Sequence, residues 1–148
     1  MEIRTIEAKK ALGIEATVAA DKLPENIGSM YGELAAFMQK KAIPVTEAPY
    51  VLYKNMDPQA LQIVAAFPVS QDVQTEGRII MTEIPGGTFV HCVHKGPYTE
   101  LEKTYAKVMD YIKEKKVETQ EWMYESYINS PEDTAPEELL TELFFPLK

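Results

Sequence analysis

A single cysteine, Cys92, stands in 148 residues, so no internal disulfide can form and nothing points to an oxidising compartment. Basic residues are scarce as well, 15 against 23 acidic ones, for a formal charge of −8. A nucleic-acid backbone calls for a basic stripe, and none is visible, so direct nucleic-acid binding is not expected. The acidic balance suits solubility first and attraction of cationic ligands second. No apolar run approaches the roughly 18 residues of a membrane span. The opening MEIRTIEAKK also lacks the apolar segment of a signal peptide. The expectation is a cytoplasmic protein without membrane contact.

Metal ligands are equally sparse. The one suggestive run is "HCVH", His91 to His94. On a strand, residues three apart point to opposite faces, so the two histidines cannot chelate one ion. Cys92 and His94 share a face, but no third and fourth ligand follows at a recognisable spacing. Gly86-Gly87 lacks the helix start that a phosphate-cradling loop needs. No metal and no cofactor is expected.

What is present is ordinary for a globular chain, with 45% apolar and 26% charged residues. The length fits one domain, residues 1–148, with a core large enough to do without staples. Within it the sequence repeats. At a constant offset of 74, Tyr31 meets Tyr105, Leu34 meets Val108, Phe37 meets Tyr111, Ile43 meets Val117, Tyr50 meets Tyr124, Tyr53 meets Tyr127 and Asn55 meets Asn129. At an offset of 78, Ile6 lies over Ile84 and Leu61 over Leu139. The copies are approximately residues 1–70 and 78–148, with the polar stretch 70–77 as linker.

Each copy reads as strand, helix, strand, strand. Ile27, Met30, Tyr31, Leu34 and Met38 form one helix stripe, with Pro24 closing the loop before it. Tyr98, Leu101, Tyr105, Val108 and Ile112 form the other, and Thr99 with Glu102 predicts a capping box. Strands are expected at Ile3–Ile6 with Ala11–Val18, Tyr50–Asn55, Leu61–Val69, Arg78–Ile84 with Thr88–His94, Trp122–Ile128 and Leu139–Phe145. Ala8-Lys9-Lys10 and Pro85-Gly86-Gly87 interrupt the first strand of each copy. The fold class is α+β: two pseudo-symmetric βαββ repeats forming an antiparallel sheet, with helices packed on it and a ligand groove at the seam.

The copies diverge in chemistry at one position, Val51 in the first and Glu125 in the second. Alternation sets Met123, Glu125 and Tyr127 on one strand face, with Val51 and Tyr53 on the matching face of the other copy. One carboxylate among tyrosines and apolar residues suits an organic molecule oriented by a single polar group, or a cation resting on tyrosine faces. The alternative is that Glu125 touches water on a solvated sheet face. Glu142 carries the same two readings. Tyr98 and Trp122 extend the candidate ligand contacts, although Trp122, like Tyr31, Tyr105 and Tyr111, also reads as core.

The duplicated pattern, with "HKGPYTEL", "ESYINSP" and "LLTELFFPL", resembles the gyrase-inhibitor-like small-molecule-binding domain, which also serves as effector-binding domain of bacterial multidrug-responsive transcription activators. The resemblance spans residues 1–148. It is most specific at Gly96-Pro97-Tyr98, at Glu125-x-Tyr127-x-Asn129-x-Pro131 and at Thr141-Glu142-Leu143. It implies a pseudo-twofold fold whose groove takes lipophilic, often cationic or aromatic molecules, with Glu125 at the position of a buried glutamate partner. Some members are similar to hydrolases of cyclopropane-containing natural products, which implies, as an alternative, Glu125 as base or water activator and Tyr127 as hydrogen-bond donor. A third implication is a protein partner, in the manner of gyrase inhibition. Leu140 stands where arginine is common and Tyr124 where tryptophan is common, which bears on ligand preference. Strand signals from residue 3 leave no room for a helix-turn-helix, so a stand-alone binding form is expected.

Overall fold

The computed structural model describes residues 1–129 and 133–148; Pro131 of the motif that follows Glu125 lies outside them. In chain order the first half holds β1 (Glu2–Ile6), β2 (Lys9–Val18), α1 (Leu23–Lys40), β3 (Tyr50–Tyr53) and β4 (Leu61–Pro68). The second half holds β5 (Ile79–Ile84), β6 (Gly87–Lys95), α2 (Leu101–Lys115), β7 (Met123–Tyr127) and β8 (Leu140–Pro146). The eight strands form one antiparallel sheet in the order β1-β6-β8-β7-β3-β4-β2-β5. Replacing each strand by its counterpart in the other half reverses that order and leaves it otherwise unchanged, which is the pseudo-twofold.

The interruptions expected in the two leading strands are complete breaks, and they have a topological consequence. β1 pairs with β6 of the second half, while β5 pairs with β2 of the first. Each half therefore lends its first strand to the edge of the other. The two breaks touch: a Cβ on Gly86 would lie 2.5 Å from the Ala8 nitrogen and 2.8 Å from the Ile6 oxygen. Only a residue without a side chain lets the two backbones come so close.

Both helices cover one face of the sheet. α1 buries Met30, Leu34, Phe37 and Met38 against Leu12, Ile14, Val51, Ile63 and Ala65. α2 buries only Val108 fully, against Val90, Cys92, Met123 and Leu143, with Leu101, Tyr105 and Ile112 partly covered. The opposite face carries its own cluster of Tyr50, Phe89, Tyr124 and Phe144. This two-sided burial explains the near-continuous apolar strands β4 and β8. Among the described residues no helix is long and apolar enough to cross a membrane.

Two local expectations need correction. Thr99 and Glu102 form no capping box. Pro97 is extended (φ −64°, ψ 152°) and starts a single 3-10 turn over Tyr98–Glu100, so α2 begins at Leu101 without a side-chain cap. Pro24 lies inside the first turn of α1, where its missing N–H would have had no partner anyway.

The matched asparagines have matched roles. Asn55 donates to the Ala60 carbonyl (3.1 Å) and accepts from the Gln62 amide (3.0 Å). Asn129 donates to the Glu138 carbonyl (3.1 Å) and accepts from the Leu140 amide (2.8 Å). Each clamps the start of the last strand of its half, which fixes how β3 and β7 leave the seam.

Candidate functional site

The seam of the sheet runs between β3 and β7, where Val51 and Glu125 are directly paired. Glu125 points to the helix-covered side and is 3% exposed. Its Oε1 accepts hydrogen bonds from Tyr127 (2.8 Å) and, more weakly, Tyr53 (3.4 Å), and Tyr105 of α2 donates to its Oε2. Met123 completes the strand face, directly opposite Tyr53. Tyr31 and Tyr98 set ring edges against Tyr127, at centroid distances of 6.4 and 5.7 Å. Tyr98 is the solvent-facing member of the group at 36% exposure.

Burial dominates the electrostatics. It pushes the Glu125 carboxyl above the usual carboxylate range, opposed by the Tyr105, Tyr127 and Tyr53 hydroxyls and by His94. The hydroxyls of Tyr31, Tyr53, Tyr105 and Tyr127 are likewise pushed up, first by burial and then by surrounding charge, that of Glu125 included. They hold their protons at any ordinary pH and act as hydrogen-bond donors. Among the described residues no Lys or Arg pairs with Glu125; its hydrogen-bond partners are neutral hydroxyls.

The structure thus brings together Glu125, Tyr127, Tyr53, Val51, Met123 and Tyr98. It separates Trp122 and Glu142 from them. Trp122 lies an odd number of residues from Glu125, so it projects to the other face, stacked on Tyr124 and edge-on to Phe89. Glu142 pairs with Ser126 rather than with Glu125. On that face it lies 3.6 Å from the His91 ring, and that contact, aided by Arg4 and Lys9, holds its carboxyl below the usual range.

Two surface hollows also lie away from Glu125. One, about 270 Å³, sits on the far face between Arg4, Lys9, Tyr50, Tyr124, Glu142 and Phe144. The other, about 310 Å³, lies between Phe37 and Lys40 of α1 and residues 76–79.

Three further contributors are ones to which the sequence reading gives no place in this site. Tyr105 reads as a member of an apolar helix stripe, and its counterpart Tyr31 does spend its hydroxyl on a backbone group, the Tyr50 carbonyl, at 2.9 Å. Only the divergence of Val51 and Glu125 opposite the two helices marks Tyr105 as different. His94 and Thr141 share the helix-covered side, directly paired across β6 and β8. His94 Nε2 donates to the Pro97 carbonyl (3.1 Å), and Nδ1 meets the Thr104 hydroxyl at 2.6 Å. This ties the Gly96-Pro97-Tyr98 turn to α2.

A family model described as GyrI-like small molecule binding domain matches residues 1–148. Among solved structures, EcmrR in a complex with DNA superposes with a TM-score of 0.81 at 22% identity, over 99% of this chain and 56% of that one. This chain therefore spans about half of EcmrR. The separate EcmrR C-terminal domain gives 0.77 at 24% identity, over 99% of this chain and 96% of that one. A hydrolase from Listeria innocua gives 0.72 at 14% identity, over 99% and 91%. A protein solved bound to tetraphenylphosphonium gives 0.66 at 12% identity, over 99% and 93%. At these identities the likeness shows the fold. No protein of curated function matches the chain.

Proposed function

The chain belongs to the GyrI-like small-molecule-binding domain family, and from that premise we propose that it binds a lipophilic, aromatic cation at Glu125. One observation carries the reading: a carboxylate 3% exposed, with neutral hydroxyls as its hydrogen-bond partners. An unpaired buried charge is costly to the fold. A cationic ligand supplies the missing opposite charge, and the tyrosine faces around it add cation–π attraction. The structural neighbour solved bound to tetraphenylphosphonium supplies a suitable probe. Calorimetric titration of the wild type with that cation is expected to show saturable binding, lost or strongly weakened in Glu125→Gln. Equal affinity of the two proteins would refute the pairing.

A hydrolase that uses Glu125 as general base and Tyr127 as hydrogen-bond donor is the second reading, favoured by the raised carboxyl. It ranks lower on geometry. A carboxylate offers about four lone-pair positions, and three hydroxyls already engage this one, which lowers its basicity. Release of product from a cyclopropane-bearing electrophile, abolished in both Glu125→Gln and Tyr127→Phe, would reverse the order.

A further inference from the structure

We propose that Thr141 is a second polar contact of the same site, so that the ligand is an aromatic cation carrying a hydrogen-bonding substituent, its charge toward Glu125 and its substituent toward Thr141. This rests on the Glu125 reading and deepens it.

Thr141 is fully buried. On β8 it pairs with Tyr127 on one side and with His94 on the other. By alternation it shares the helix-covered face with Leu143 and Phe145. Its Oγ1 has no hydrogen-bond partner among the described residues. The neighbouring polar groups are already engaged: the Tyr127 hydroxyl by Glu125, and both His94 nitrogens by Thr104 and Pro97. The other buried side-chain atom without a partner, His91 Nε2, belongs to the opposite face, beside Glu142. On the Glu125 side, then, Thr141 Oγ1 is the one buried side-chain polar atom left to be satisfied among the described residues.

A buried hydroxyl in that condition is worse for the fold than a methyl group of the same shape. Valine would fill the position at lower cost, so the hydroxyl makes sense if something else meets it. The geometry suits a ligand. Thr141 stands one strand across and two residues along from Glu125 on the same face, which sets their Cα atoms about 8 Å apart. The Gly96-Pro97-Tyr98 turn lies alongside, since Gly96 donates to the Leu139 carbonyl at 2.8 Å. That turn presents the exposed Tyr98 at the edge of the tyrosine cluster.

The test compares two cations: tetraphenylphosphonium, which has no hydrogen-bonding group, and ethidium, which carries two aromatic amines. Affinities are measured by calorimetry for wild type, Thr141→Val and Thr141→Ser, with melting temperatures alongside. Thr141→Val is expected to bind ethidium about 5- to 10-fold more weakly and tetraphenylphosphonium within about twofold of the wild type. Thr141→Ser should keep ethidium affinity, and Thr141→Val should melt no lower than the wild type. Equal effects on both cations, no effect on either, or a lower melting temperature for Thr141→Val would overturn the proposal. Wild type that binds tetraphenylphosphonium but not ethidium would overturn it while leaving the Glu125 reading in place. Wild type that binds neither would overturn both.

Discussion

Val51 and Glu125 are counterparts in the two repeats and also direct partners across the β3–β7 seam. Their neighbours obey the same rule, since Tyr50 faces Ser126 and Leu52 faces Tyr124, each pair being the exchanged image of the other. The pseudo-twofold axis therefore passes through the Val51–Glu125 pair. A perfectly symmetric protein would have to place two identical side chains in contact there. Two glutamates would repel in a buried setting, and two valines would leave no charge. Asymmetry at this one pair is what allows the seam to hold a single carboxylate.

Restoring symmetry with Val51→Glu is expected to destabilise the protein by on the order of 3–5 kcal/mol at neutral pH, as an uncompensated buried charge does. Two carboxyls in contact cannot both ionise easily, so the loss should shrink as pH falls. Urea unfolding of the variant at neutral and acid pH measures it. A loss independent of pH would mean that size, not charge, is the problem.

Glu125→Gln should stabilise the unliganded protein. A carboxyl whose pKa is raised by folding holds its proton more tightly in the folded state. The resulting stabilisation is complete below the unfolded value of about 4.3 and disappears as pH rises through the folded value. The neutral amide escapes that loss. Its melting temperature is expected to exceed that of the wild type by about 2–4 °C at pH 7 and to converge with it toward pH 4. Thermal unfolding across that range tests the sign: a gap that widens toward acid would contradict it.

The duplication, both helices and the faces of the strands at the seam were legible because apolar periodicity reports which way a side chain points. Periodicity does not report partners. Nothing in Ile3–Ile6 says that it pairs with Phe89 and Val90 of the other repeat rather than with its own. The same limit applies at the site. Glu125, Tyr127 and Tyr53 follow from alternation on neighbouring strands, whereas Tyr105 arrives from a helix and shows the same stripe whether its hydroxyl is idle or bonded. Alternation alone already sets Trp122 on the face away from Glu125, whereas the side that Glu142 takes follows only from its pairing with Ser126, which alternation within β8 does not report.

The exchange of leading strands predicts an unusually sensitive glycine. Gly86→Ala forces the break between β5 and β6 away from the backbone of Ile6 to Ala8. An overpacking loss of about 1–3 kcal/mol follows, concentrated in the two edge strands. Hydrogen exchange should show faster exchange in β1 and β5 than in β3 and β7. Uniform acceleration would point to a loss spread over the whole sheet.

Both helices end on a left-handed residue that is not glycine, Ala42 and Lys116, each with φ 56°. They are counterparts at the offset of 74, and each sits where the chain folds back under its helix, with Ile43 donating to Met38 and Val117 to Ile112. Glycine carries no penalty in this conformation. Ala42→Gly and Lys116→Gly are each expected to be neutral to about 1 kcal/mol stabilising despite the larger unfolded-state entropy of glycine. Chemical denaturation of the single and double variants measures this. The two sites are in different halves and share no partner, so their effects should add.

The three tyrosine hydroxyls and a cation compete to shape the same carboxylate, which gives ligand binding a pH dependence that a mutation can move. A cation gains from Glu125 only when it is ionised, so affinity should rise with pH through the raised carboxyl pKa and then level off. The Tyr105 hydroxyl is the leading hydrogen-bond influence opposing that rise in pKa. Tyr105→Phe removes it, leaving Oε2 without this donor, and should move the midpoint of the affinity profile to higher pH. Tyr53→Phe, whose hydrogen bond is the long one at 3.4 Å, should move it less. Tetraphenylphosphonium titrations from pH 5 to 9 on the three proteins separate this from simple loss of packing. A packing defect lowers affinity by the same factor at every pH, whereas a shifted carboxyl lowers it at the acid end and leaves the alkaline plateau in place.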